Sequence, residues 1–188
     1  MGEPMRVAAV ILAAGASTRF GSQKQVARVG DRTMLEAVVA VARGAGLSPV
    51  VAVVPPRLAV PADVVPVING QPDLGISRSL QLGIRALPPE IQAAVILLGD
   101  QPTMSADLVR AVVDAERDGR PVVAARAEGH AGPPVLLLRE AFELTAEATG
   151  DAGLAPFLAA HPNRARFVDV VRHVPDVDTL ADMDQVTD

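Results

Sequence analysis

The 188 residues carry a formal net charge of −5 and contain no cysteine, tryptophan or tyrosine, which excludes disulfides, iron–sulfur clusters and cysteine-ligated zinc. With aromatics at 2% and no clustered Lys or Arg, single-stranded and duplex nucleic acid are excluded as partners. Hydrophobic residues at 49% suffice for a core of Val, Leu, Ile and Ala, and 188 residues suit a single domain spanning 1–188. No apolar run approaches the ~18 residues of a membrane span and the N-terminus lacks a signal pattern, so a cytoplasmic protein acting on a small molecule is expected.

The first apolar run, residues 7–13, has strand length and leads into a Gly-rich loop. Residues 34–45 read as a helix, with Leu35, Val38, Val39 and Ala42 at helical spacing. Residues 50–54 and 64–68 are short strand-like runs, and the Pro-rich stretch 55–66 reads as a surface connection, with a small flexible lid as the alternative. Leu80, Ile84 and Leu87 mark a helix over 77–87, and residues 93–98 form a strand ending in Gly99-Asp100. Ser105 is placed to cap a helix over 106–118, with Leu108, Val109, Val112 and Val113 inward. Strands follow at 122–125 and 134–138 around a turn at 129–132, then a short helix at 154–160, a strand at 167–171 and a helix at 179–186. Continuous β-branched runs alternating with helices predict an α/β protein with a parallel sheet covered on both faces. Ligands in such sheets sit beyond the carboxyl ends of strands. That rule directs attention to Ala13 onward, to Gly99-Asp100 and to the turn after Val171.

Residues 12–24 read Leu-Ala-Ala-Gly-Ala-Ser-Thr-Arg-Phe-Gly-Ser-Gln-Lys. Small residues after a buried strand let backbone approach a ligand, and Gly15 and Gly21 can turn successive N–H groups inward to cradle phosphate oxygens. Arg19 and Lys24 add positive charge. The spacing is neither that of the dinucleotide fingerprint nor that of the P-loop, and an ordinary strand-to-helix turn with two surface cations fits the loop alone equally well. Asp100, turned out of its strand by Gly99, is either a cap or a hard oxygen ligand suited to Mg²⁺.

Taken as a string, L-A-A-G-x-S-x-R-x-G-x-x-K resembles the phosphate loop of the MobA-like NTP transferase family, closest to its molybdenum cofactor cytidylyltransferase branch. Gly99-Asp100-Gln101-Pro102 resembles the family's second motif. The resemblance, which runs from Leu12 to Asp182, implies a three-layer Rossmann-like nucleotide-diphospho-sugar transferase fold with a mostly parallel sheet. It implies that Leu12, Ala13, Ala14, Gly15, Ser17, Arg19, Gly21 and Lys24 bind the nucleotide, with Arg19, Lys24 and Asp100 catalytic and Asp100 on Mg²⁺. By the same resemblance Asn69, Gly75, Ser77 and Ser79 approach the nucleotide, although Ser77 reads equally well as a helix cap. Gln101, Pro134, Asp151 and Gly153 are implied near the acceptor; His130 is nearby but reads as solvated. Residues 175–182, Pro-Asp-Val-Asp-Thr-Leu-Ala-Asp, resemble a motif that would bring Asp178 to the metal, with Thr179 and Asp182 as a capping pair. Asp176 and Asp178 alternatively assist the acceptor or favour a helix N-terminus.

The implied reaction moves a nucleoside monophosphate from an NTP to a phosphorylated acceptor and releases pyrophosphate. CTP and the molybdopterin cofactor are the implied substrates, with a molybdoenzyme or its chaperone as the implied partner. A sugar 1-phosphate or another small phosphorylated acceptor is the rival, and a non-catalytic cofactor chaperone a further one. By the same resemblance Ala14 stands where the GTP-using branch has glycine; either its β-carbon narrows the wall beside the base in favour of a pyrimidine, or Ala14 only packs under the sheet and the base is chosen elsewhere.

Overall fold

The structure is a computed structural model and describes residues 4–15, 24–179 and 181–183. Strand β1 (Val7–Leu12) is buried along its whole length. Beyond it, β2 (Arg28–Val29) and β3 (Arg32–Thr33) make a small antiparallel hairpin that leads into α1 (Met34–Gly44). The hairpin and its cap are features the hydrophobic pattern does not mark. Thr33 Oγ1 accepts from Glu36 N at 3.2 Å while Glu36 Oε2 accepts from Thr33 N at 2.7 Å, so two orphan amides are satisfied reciprocally. The buried face of α1 is Met34, Leu35, Val38, Val39 and Ala42, the four expected positions plus its first residue.

β4 (Val50–Val54), β5 (Val65–Ile68), α2 (Ile76–Arg85), β6 (Ala93–Leu98) and α3 (Ala106–Asp114) follow. Ser105 Oγ caps α3 by accepting from Leu108 N at 3.1 Å, but the helix stops at Asp114, four residues before the expected end at 118. Ser77 does not cap α2. The N-cap is Gly75, and Ser77 lies in the first turn, 4% exposed. β7 (Val122–Ala127) and β8 (His130–Leu138) form a hairpin. Its loop is Glu128-Gly129, with φ of 50° and 81°, which matches the twist of the flanking strands. The turn expected at 129–132 is therefore two residues long, and Gly132 belongs to β8. Pro133 and Pro134 interrupt the ladder where Ala124 pairs with Val135 but Ala125 pairs with Gly132, because proline has no N–H to donate. α4 (Ala155–Ala160) and β9 (Ala165–Asp169) close the order; β9 starts and ends two residues before the strand expected at 167–171.

Seven strands pair in the order β5-β4-β1-β6-β8-β7-β9. All neighbours run parallel except β8, which is antiparallel to both β6 and β7. The sheet is therefore mostly parallel, as expected. Side chains alternate across it. Val7, Ala9 and Ile11 of β1 meet Leu35, Val38 and Val39 of α1 and Val109 and Val112 of α3. Ala8, Val10 and Leu12 meet Leu80 and Ile84 of α2, with Leu158 of α4 on the same side. These are three layers: helices, sheet, helices. α2 approaches closely because Gly83 faces the strands; a β-carbon there would lie 2.4 Å from Val10 Cγ1. Among the described residues no helix is long and apolar enough to cross a membrane.

Candidate active site

From β1 the chain moves to β4 on one side, then returns to β6 on the other side of β1. The crevice at such a reversal is where open α/β sheets bind ligands. Leu12 and Leu98, the last residues of β1 and β6, are register partners. Residues 13–15 and Gly99-Asp100 consequently leave the sheet side by side. Gly99 is needed for that approach: its N–H donates to Leu12 O at 2.9 Å, and a β-carbon on it would sit 2.6 Å from Ala13 Cβ.

A cavity of about 640 Å³ opens here. Leu12, Ala13, Ala14, Gly15 and Lys24 line one part, Gly75, Ser79 and Asp151 another, and Asp100, Asp176 and Asp178 a third. Gln25, Asp73, Ile76 and Leu98 also line it; their only sequence signal is adjacency to motif residues. Gln25 is 2% exposed and donates from Nε2 to Gly15 O at 3.1 Å, joining the two described ends of the glycine-rich loop. Ser17, Arg19 and Gly21 lie outside the described residues.

Other expected site residues support the wall without lining it. Asn69, 1% exposed, donates from Nδ2 to Ser79 Oγ at 3.0 Å and accepts from Gln71 N at 2.9 Å. Ser77 is turned into the core. Gln101 donates from Nε2 to Val174 O at 3.2 Å and to Asp176 Oδ1 at 2.9 Å. Pro134 is buried in β8, and Gly153 packs on Ile76 behind the Gly150–Ala152 turn. From that turn Asp151 Oδ1 accepts from Ile76 N at 3.3 Å.

The centre of the site is ionic. Lys24 Nζ donates to Asp100 Oδ2 at 2.7 Å, to Asp178 Oδ1 at 3.0 Å and to Val177 O at 3.3 Å. Asp178 arrives because residues 170–178 fold back over the strand ends. Val177 N donates to Asp100 O at 2.8 Å, and Val177 is fully buried beside Met34. Thr179 and Asp182 form the expected reciprocal cap, with Thr179 N donating to Asp182 Oδ2 at 2.8 Å and Asp182 N to Thr179 Oγ1 at 3.3 Å. Burial opposes the Lys24 ammonium, but the hydrogen bonds and charges of Asp100 and Asp178 outweigh it and hold its pKa above the ordinary lysine value. Asp176 titrates above the ordinary carboxylate range, through partial burial first and then the charge of Asp100, although Gln101 pulls it back; its outer surface stays exposed.

The donor set fits a hard divalent cation. Asp100 and Asp178 present only oxygen, and Asp100 Oδ1 is buried with no hydrogen-bond partner. Mg²⁺ typically takes one or two carboxylates and completes its shell with water and substrate phosphates. Among the described residues no group of three or more acidic, His or Cys side chains is arranged to hold a metal.

The MobA-like NTP transferase domain matches residues 9–165, which include all but the first two residues of β1, the glycine-rich loop and Asp100. The chain belongs to the MobA-like NTP transferase family. The 2-C-methyl-D-erythritol 4-phosphate cytidylyltransferase of Streptomyces coelicolor is 36% identical over 136 residues, covering 64% of this chain and 49% of that enzyme. The chain thus spans about half the length of the curated relatives it matches. Among solved structures, Rv0371c of Mycobacterium tuberculosis superposes with a TM-score of 0.81 at 26% identity, covering 97% of this chain and 98% of that one. The same mycobacterial protein is known in complex with manganese, with a TM-score of 0.79, 26% identity, and coverage of 98% and 99%. A nucleotidyl transferase from Methanothermobacter shares the fold at a TM-score of 0.79 and 21% identity, over 97% and 96% of the two chains.

Proposed function

We propose that this chain transfers CMP from CTP to a phosphorylated acceptor and releases pyrophosphate, with Mg²⁺ at Asp100 and Asp178. One observation carries the reading: Lys24, Asp100 and Asp178 converge at the carboxyl ends of β1 and β6, in one cavity with residues 12–15. When bound, the cation supplies charge neutralisation at the phosphates. The chain's own groups bind and orient. Residues 12–15 bring backbone against the nucleotide, and Arg19 and Lys24 neutralise the triphosphate. Gln25 holds the Gly15 carbonyl and so ties together the two described ends of the loop. An oxygen of the acceptor phosphate forms the new bond to the α-phosphorus while the bond to the bridging α–β oxygen breaks and pyrophosphate leaves. No general base is needed, because that nucleophile is already an anion.

Ala14 lines the cavity and is 3% exposed; with the base seated beside it, a β-carbon there would leave less room for a purine than for cytosine, which supports CTP. The Streptomyces relative, named as a cytidylyltransferase, supports the same base. For the acceptor, the loop resemblance supports the molybdopterin cofactor, with Asp151 the acceptor residue that lines the cavity; a molybdoenzyme or its chaperone is then the partner. A second reading, 2-C-methyl-D-erythritol 4-phosphate, is favoured by the 36% identity to the Streptomyces enzyme. Pyrophosphate release from each of the four NTPs with either acceptor separates the readings. Calorimetry with Mg²⁺ should show CTP binding about 10–200-fold tighter than GTP; tighter GTP binding overturns the assignment of the base.

A further inference from the structure

We propose that Lys24 is an internal counter-cation that holds the place between Asp100 and Asp178 while nucleotide is absent, so that the divalent cation enters only together with the triphosphate. The proposal rests on the reading of those two carboxylates as the metal ligands. An ammonium has three protons to donate, and in Lys24 they have acceptors on two segments far away in the chain: Asp100, 76 residues on, and Val177 and Asp178, 153 and 154 residues on. The lysine side chain is 11% exposed and those of Asp100 and Asp178 are 23% and 32% exposed, so the pairs lie in a recess where solvent screens them poorly. A divalent ion approaching the same oxygens meets a fixed positive charge at ion-pair range. Because no third acidic, His or Cys ligand completes a group there among the described residues, two carboxylates already shared with an ammonium make a poor site for a bare cation.

A triphosphate changes both sides of that balance. Its oxygens give the ammonium another anionic partner, and they supply the ligands that the two carboxylates lack. The exchange is local. Lys24 begins a short 3₁₀ turn at the base of the glycine-rich loop, and its four-carbon stem lets the head swing without moving the sheet. The metal is thereby coupled to the nucleotide, and free cation is kept from drawing Asp100 and Asp178 into an unproductive complex.

The test is a titration of Mn²⁺ alone, without nucleotide, followed by the electron paramagnetic resonance signal of the free ion. Parent, Lys24→Met, Lys24→Arg, Asp100→Asn and the double variant Lys24→Met with Asp100→Asn are compared, each checked for fold by circular dichroism. Lys24→Gln replaces Lys24→Met if the latter fails to fold. Lys24→Met should bind Mn²⁺ about tenfold or more tightly than the parent, Lys24→Arg should remain weak, and the double variant should lose the gain. If the parent and Lys24→Met bind equally and Asp100→Asn weakens both, the proposal is overturned while the metal site stands. If no variant binds Mn²⁺ in an Asp100-dependent way even after CTP is added, the placement of the metal itself is wrong.

Discussion

The wall of the cavity formed by the start of α2 depends on one backbone conformation. Gly75 has φ 85° and ψ 178°, a region essentially closed to residues with a side chain, at about 1–3 kcal/mol. A β-carbon there would also lie 2.3 Å from the Gly150 carbonyl carbon, 2.4 Å from its oxygen and 2.8 Å from Asp151 N. All three are backbone atoms, so no rotamer change relieves the overlap, and overpacking adds about 1–3 kcal/mol. Gly75→Ala should therefore lose about 4 kcal/mol, or roughly 8–16 °C in melting temperature for a chain of this size. Relief short of unfolding means parting α2 from the Gly150–Ala152 turn, which breaks the bond from Ile76 N to Asp151 Oδ1 and weakens NTP binding as well. Gly46→Ala is the control. Gly46 also has positive φ, 79°, but nothing lies within 4 Å of its added β-carbon, so only the backbone term of about 1 kcal/mol applies. Urea unfolding of both variants measures the difference. If Gly75→Ala costs no more than Gly46→Ala, the contact between α2 and the Gly150–Ala152 turn does not have the rigidity argued here.

Asp100→Asn should leave the fold intact yet reduce turnover by several kcal/mol of transition-state stabilisation, on the order of 10³-fold. Near-normal turnover with unchanged metal dependence would remove Asp100 from the mechanism. Thr33→Ala should cost about 1 kcal/mol of stability by deleting the N-cap of α1. The partner Glu36 has its pKa lowered by the hydrogen bond from the Thr33 amide and then by the Thr33 side chain. Its contribution is therefore present above the ordinary glutamate value and disappears as pH falls through the lowered one. The bond that Thr33→Ala deletes, from Glu36 N to Thr33 Oγ1, does not titrate, so its cost should persist in acid. Thermal melts of parent and Glu36→Gln should instead converge in acid, and a gap between those two that stays constant with pH would show that the box contributes nothing through its carboxylate.

Which parts of this protein were legible in its sequence follows from the range of the interactions involved. Strand β1 and helix α1 were readable because their periods are local: Val7, Ala9 and Ile11 alternate with Ala8, Val10 and Leu12 between the two cores, and Leu35, Val38, Val39 and Ala42 recur on one helical face. The Ser105 cap and the Thr179–Asp182 pair were readable for the same reason, each spanning three residues. The loop string and Gly99-Asp100 were legible as motifs. Their adjacency required the Leu12–Leu98 register, which only strand pairing decides. The sequence left Ser77 between nucleotide binding and a helix cap, because serine suits both; tertiary packing drew Gly75 against Gly150 and started the helix earlier, with Ser77 buried in its first turn. The direction of β8 was not readable, since a short apolar run looks the same in either sense and the two-residue Glu128-Gly129 loop decides it. Lys24 read as a phosphate ligand from its charge and its place in the loop string. That it sits between Asp100 and Asp178 depends on the return of residues 170–178 over the strand ends, held by Val177 in the core and its N–H on Asp100 O. A contact spanning 154 residues has no local period to announce it; it exists because the buried sheet offers two neighbouring strand ends and the chain has one apolar residue, Val177, that anchors the carboxylate beside them.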